Sequence, residues 1–181
     1  DYLYNDGPSR GLRAIDLKNG RNIEMTFLAD RGLDIPYLSY KGHNVGLVNK
    51  VGIRSPYLYQ EEGASGFLKQ FTGGLLTTCG ITYAGGAGVD NGKALGLHGP
   101  FDNIPAEQVC AEIDYEGDDR VIRVSGQVHE SEVFGTDMLM KRRFTLETEC
   151  DKLRIRDTVI NQSFEKQPVM LIYHINFGYP M

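Results

Sequence analysis

Val121-Ile122-Arg123-Val124-Ser125-Gly126-Gln127-Val128 alternates along its length, with Ile122, Val124 and Val128 on one face and Arg123, Ser125 and Gln127 on the other. A period of two is the mark of a strand with one side in a core and the other in water. The same pattern runs outward in both directions. Glu107 to Tyr115 alternates ahead of it, across a turn at Gly117-Asp118-Asp119. Met138 to Glu147 and Leu153 to Ile160 follow, joined by Glu149-Cys150-Asp151-Lys152, and one face of the third segment takes Met138, Met140, Phe144 and Leu146. Four such segments in series predict an antiparallel meander.

Strand signals continue toward both termini. Leu12 to Leu17 alternates, stops at Asn19-Gly20 and resumes over Ile23 to Leu28, which predicts a hairpin closed by a two-residue turn. After Asp30-Arg31-Gly32, a third alternating piece runs from Leu33 to Tyr40, and a short apolar run spans Val45 to Val48. From Gly52 to Gly99 glycines interrupt every pattern, so this stretch predicts long loops packed on a sheet, with a helical turn near Ser65 to Phe71. A last strand is predicted over Val169 to Ile175. Roughly nine or ten strands with almost no helix give an all-β sandwich of antiparallel sheets.

With 181 residues, the chain can bury one core, and residues 1–181 are read as a single β-sandwich domain. Its first residues, Asp1-Tyr2-Leu3-Tyr4, already read as mid-domain, so the expectation is the N-terminal and central part of a larger domain. Hydrophobic residues make 41% of the chain, charged residues 24%, and the net charge is −5, a composition typical of globular proteins with a mildly acidic surface. No nucleic-acid partner is expected, because the longest basic run is Lys141-Arg142-Arg143 and alternation turns Arg142 away from its neighbours. Cys79, Cys110 and Cys150 contain no CxxC pair and leave one cysteine over in any disulfide scheme, which predicts a reducing, cytoplasmic setting. No apolar run approaches the ~20 residues of a membrane span, so no membrane partner is expected.

The chain has four histidines, and two stand out. His98 lies in Gly96-Leu97-His98-Gly99-Pro100 and His174 in Tyr173-His174-Ile175-Asn176-Phe177. Histidine exchanges protons near neutrality, and flanking glycines let a ligand approach the backbone. On the last strand His174 and Asn176 share a face, about 7 Å apart along the chain. If that face is concave, both meet a ligand; if it faces the core, His174 is a buried polar residue in need of a partner. Phe177, just beyond, is an aromatic able to floor a ligand. His43 and His129 read as solvated loop residues.

Four segments carry a family resemblance: Ala29-Asp30-Arg31-Gly32-Leu33-Asp34-Ile35, Gly73-Gly74-Leu75-Leu76-Thr77-Thr78-Cys79-Gly80, Leu97-His98-Gly99 with Asn103-Ile104-Pro105-Ala106-Glu107, and Pro168 to Gly178. In these, and in their order, the chain is similar to the galactose mutarotase-like proteins, aldose 1-epimerase relatives, in their DUF4432-type branch. The resemblance implies a supersandwich of antiparallel sheets whose concave sheet holds a monosaccharide, and anomer interconversion that needs no cofactor. It implies that His174 is the general acid protonating the ring oxygen and that His98 holds or polarises the same region. Opening a hemiacetal requires one group to take the C1 hydroxyl proton and another to supply one to the ring oxygen. In mutarotases a glutamate base and a sugar-binding aspartate lie well downstream of the second histidine, which places the base beyond Met181. The family's upstream arginine has no counterpart in Gly66 to Thr82, and Arg31 and Arg54 are the substitutes.

Three other readings are open. A non-catalytic sugar-binding or regulatory module would keep the cleft and lack the base. A metal-dependent sugar isomerase would use His98, His174 and a third ligand such as Cys79 or Asp102, but no His-x-His or Glu-x-x-His spacing supports it, so no metal is expected. Cys79 as a nucleophile competes with its commoner role as a small buried residue.

Overall fold

The computed structural model describes residues 1–117 and 119–179; Asp118, in the expected Gly117-Asp118-Asp119 turn, and Met181 lie outside the described residues. In chain order the strands are β1 (Tyr2–Leu3), β2 (Arg13–Lys18), β3 (Ile23–Leu28), β4 (Asp34–Tyr40), β5 (His43–Asn44), β6 (Leu47–Val48), β7 (Gly73–Gly74) and β8 (Leu76–Cys79). They continue with β9 (Gly88–Asp90), β10 (Lys93–Leu95), β11 (Glu107–Glu116), β12 (Asp119–Ser131), β13 (Asp137–Glu147), β14 (Leu153–Asn161) and β15 (Ile172–Ile175). Among the described residues one α-helix, α1 (Ala64–Gln70), interrupts them. The chain is all-β, with antiparallel pairing in every sheet.

A seven-stranded sheet runs β1-β2-β3-β4-β8-β15, with β5 also on β4. The second layer is the meander β11-β12-β13-β14. Alternation decides what lies between the layers: Val124, Val128, Met138, Met140, Phe144 and Leu146 turn inward and join one core with Met25, Phe27 and Ile35 of the first sheet and Leu33 just before β4. Phe27 and Phe144 touch ring to ring across the interface, with centroids 4.8 Å apart. Each such fully buried side chain contributes about 1.5–3 kcal/mol of transfer free energy.

Three expectations need correction. The hairpin between β2 and β3 is closed by four residues, Asn19 to Asn22, and the Asn19 carboxamide oxygen accepts from the backbone N–H groups of Arg21, Asn22 and Ile23. A side chain that satisfies three amides can replace the tight glycine turn. Within the stretch read as loops, β8 is a central strand, paired to β4 on one side and β15 on the other. Its residues Leu76, Thr77, Thr78 and Cys79 are all buried, so no alternation betrays it. The last strand begins only at Ile172; before it, the chain is tied by one bond from Met170 N to Ile81 O of 2.8 Å. The helical turn expected near Ser65 to Phe71 is α1.

Arg142 sits on the buried face of β13 with its side chain fully enclosed. A buried guanidinium must have its donors satisfied. Nη1 donates to Gly32 O (3.0 Å) and Asp34 Oδ1 (2.8 Å), and Nε and Nη2 donate to Asp157 (3.0 and 2.8 Å). The cation lies over Phe101 and Phe144, 5.1 and 5.6 Å from their centroids. Burial raises the Asp34 carboxyl, against the pull of Arg142 and of the Thr78 hydroxyl and amide that donate to it. One network therefore joins β4, β8, β13 and β14.

Candidate functional site

β15 pairs antiparallel with β8, placing His174 opposite Thr77 and Tyr173 opposite Thr78. Successive residues of a strand point to opposite faces. Tyr173 reaches the meander, where its hydroxyl donates to Asp157 (2.8 Å). His174 therefore points the other way, and its ring lies 5.3 Å from that of Phe71.

His98 arrives from a loop whose backbone is held on both sides. Its N–H donates to Gly85 O (2.8 Å) and its carbonyl accepts from Gly80 N (3.0 Å). The residue itself sits at φ +64°, a left-handed conformation that costs a non-glycine residue on the order of 1 kcal/mol and is met chiefly at turns and functional sites. The neighbouring glycines make the approach possible: a Cβ on Gly99 (φ +73°) would lie 2.4 Å from Tyr83 O, and one on Gly80 (φ +137°) 2.4 Å from Met170 O.

The two imidazoles meet edge to face, with centroids 6.0 Å apart. α1 supplies the wall beside them: Phe67 and Phe71, one helical turn apart, stack at 5.2 Å, and Phe67 meets the His98 ring edge-on at 5.0 Å. His98 Nδ1 is buried with no hydrogen-bond partner among the described residues. Burial, and then the charge of His174, holds His98 below its ordinary value, so its neutral form dominates near pH 7. A neutral imidazole both donates and accepts.

The lowered value has a stability consequence. The unfolded His98, at 6.5, binds a proton more readily than the folded one. Its contribution is complete above that value and is lost as pH falls through 6.5 toward the folded pKa. Thermal unfolding from pH 8 to pH 5 is expected to show Tm declining on the acid side, with a shallower decline in His98→Gln, which cannot take up the proton. Parallel curves for the two proteins would refute it.

The remaining expected site residues are placed differently. Arg31 is buried, and its terminal nitrogens donate to Arg54 O (3.1 Å), Gln70 O (3.0 Å) and Asp102 Oδ2 (2.6 Å). It is a strut that ties the end of α1 to the turn just after His98, and its two terminal nitrogens are spent on these bonds. Burial pushes Asp102 up to about 6 against the attraction of Arg31, and this engagement removes Asp102 from any metal-ligand set with the histidines. Arg54 is half-buried, and its Nε has no hydrogen-bond partner among the described residues. The Asn176 amide turns back onto the backbone, donating to His174 O (2.9 Å) and Gly73 O (3.4 Å), so it locks the strand end. Phe177 is exposed beyond it and bridges to Gly46. Cys79 is buried, and burial pushes its thiol up to about 12, which suits packing and not nucleophilic attack. Among the described residues no cluster of three or more histidine, cysteine, aspartate or glutamate side chains is arranged for a metal.

The two-layer antiparallel architecture is that of a galactose mutarotase-like fold. The family profile for a domain of unknown function, DUF4432, matches residues 9–181, and the chain belongs to that family. The fold is also that of a crystal structure from Klebsiella pneumoniae subsp. pneumoniae MGH 78578, of a protein assigned provisionally as an aldose 1-epimerase, with a TM-score of 0.87 and 23% identity. That match covers 98% of this chain and 47% of the other, so the chain spans about half the length of its structural relative. A comparison with curated proteins gave no match. Among the described residues no helix is long and apolar enough to cross a membrane.

Proposed function

We propose that the protein binds a monosaccharide or sugar derivative against the His98–His174 pair and interconverts its anomers by acid–base ring opening. The observation that carries this reading is the pair itself: two imidazoles 6.0 Å apart, walled by Phe67 and Phe71, one of them with a buried, unpartnered ring nitrogen. An aromatic wall beside polar groups is the usual chemistry of a sugar subsite. His174 then delivers a proton to the ring oxygen, while neutral His98 holds the same oxygen region. The C1–C2 bond rotates in the open aldehyde, and closure gives the other anomer. Loss of the C1 hydroxyl proton calls for a base, a step that a glutamate downstream of the second histidine serves in mutarotases. No cofactor enters these steps, and the reading places the protein in the cytoplasm, away from nucleic acid and membrane.

The test is saturation-transfer NMR or polarimetry with the full-length protein on a panel of aldoses. Faster equilibration of α and β anomers for at least one sugar is the expected result. Sugar binding without acceleration of any member would make the protein a binding or regulatory module. A tightly held transition metal at full occupancy, found by elemental analysis, would move the reading to a metal-dependent isomerase.

A further inference from the structure

The outward face of the meander carries a cluster of positive charge that the fold does not neutralise. Lys141 and Arg143 alternate outward on either side of buried Arg142, and cross-strand pairing sets Arg156 of β14 directly opposite Arg143, with Ser125 on its other side. Side chains so opposed start about 5 Å apart, and like charges there are destabilising. Flanking arginines on this face are paired: Arg123 with Asp114, and Arg154 with Glu147. Among the described residues, Lys141, Arg143 and Arg156 have no carboxylate within ion-pair distance, although Glu107 and Glu112 stand on the same face across β12. This is a local concentration of cation on a chain of net charge −5.

The relief of the surface matches the charge. Two grooves of about 490 and 350 Å³ meet along Arg143 and Arg156, which line both. Ser125, Gln127 and Thr158 add hydroxyl and amide groups to the smaller groove. None of the described residues lining either groove is aromatic, so no platform for stacking nucleobases is present. Arginine matches the tetrahedral oxyanion by paired N–H donors, and lysine adds a point charge.

We propose that Lys141, Arg143 and Arg156 form a binding site for a phosphate-type oxyanion, either free or esterified to a small polyhydroxylated molecule. The site is separate from the histidine pair: His174 points away from the meander and the cluster lies on the meander's far side. A bound dianion would neutralise the opposed arginines, and the Ser125, Gln127 and Thr158 groups would take the hydroxyls of an ester.

Isothermal titration of the full-length protein at low ionic strength with orthophosphate, glycerol 3-phosphate and glycerol tests this. Both phosphates are expected to bind at one saturable site and glycerol is not. Arg143→Gln and Arg156→Gln are each expected to weaken binding about tenfold or more, the worth of a lost charge-assisted hydrogen bond. Tighter binding of glycerol 3-phosphate would identify an ester as the ligand, equal affinity the free anion, and either result supports the site. A second measurement guards against misfolding. In phosphate-free buffer each variant is expected to melt about 1–4 °C above the wild type, because a like-charge contact is relieved, and added phosphate should raise Tm more in the wild type than in either variant. Absence of saturable phosphate binding, or binding unchanged in both variants, overturns the proposal.

Discussion

Arg142→Met lowers the unfolding free energy by about 3–5 kcal/mol, the cost of leaving buried carboxylates without their counter-ion. The substitution keeps roughly the length and the apolar stem of the side chain, so little of the loss comes from a cavity. What it removes is the donor set shared by Gly32 O, Asp34 and Asp157, which ties the start of β4 to β14. For a domain of this size the change corresponds to a fall in Tm of roughly 6–20 °C. The pH dependence identifies the mechanism. Burial already raises the Asp34 pKa while Arg142 opposes that rise, so without Arg142 the folded value climbs further above the unfolded 3.8. A carboxyl raised in the folded state favours folding at low pH and loses that contribution as pH rises through the folded value. Chemical denaturation should therefore show the gap between Arg142→Met and the wild type narrowing as pH falls from 7 toward 4. A gap of constant size would mean that packing around Phe101 and Phe144, and not charge, is what Arg142 supplies.

Arg142 also marks how far the sequence could be read. Alternation through Lys141-Arg142-Arg143 placed it on the side of Met140 and Phe144, and the structure puts it there. Its partners could not be read, because Asp34 lies far along the chain and only the packing of the two layers brings it near. The meander was legible because each of its strands has one wet face. β8 was not, since it is buried on both faces and its Thr77 and Thr78 satisfy their hydroxyls internally, on Gly73 O and Asp34. The two histidines were singled out by their apolar and backbone-permissive surroundings, and the structure brings their rings together. The aromatic wall was missed, although Phe67 and Phe71 stand four residues apart within the predicted helical turn, a spacing that puts both on one side. Arg31 was expected near a ligand from its place in a motif. A buried arginine in a turn, tied to two carbonyls and a carboxylate, shows that the motif encodes the junction of three segments.

His174→Asn in the full-length protein is expected to slow anomer equilibration by about 10²–10⁴-fold, the usual worth of a positioned general acid. This equals about 2.7–5.4 kcal/mol of activation free energy. The fold should be little disturbed. His174 is half-exposed, the strand is held by its pairing to β8, and the Asn176 amide bonds the backbone carbonyl of residue 174, which the substitution retains. Sugar affinity should fall far less than the rate, because a proton donor to the ring oxygen acts mostly when charge develops there, and such a group affects turnover more than ground-state binding. Asparagine can still donate a hydrogen bond to the oxygen but cannot give up the proton. The split between turnover and affinity separates the roles. An unchanged rate would remove His174 from the acid role, and a parallel loss of rate and affinity would make it a residue that only holds the sugar.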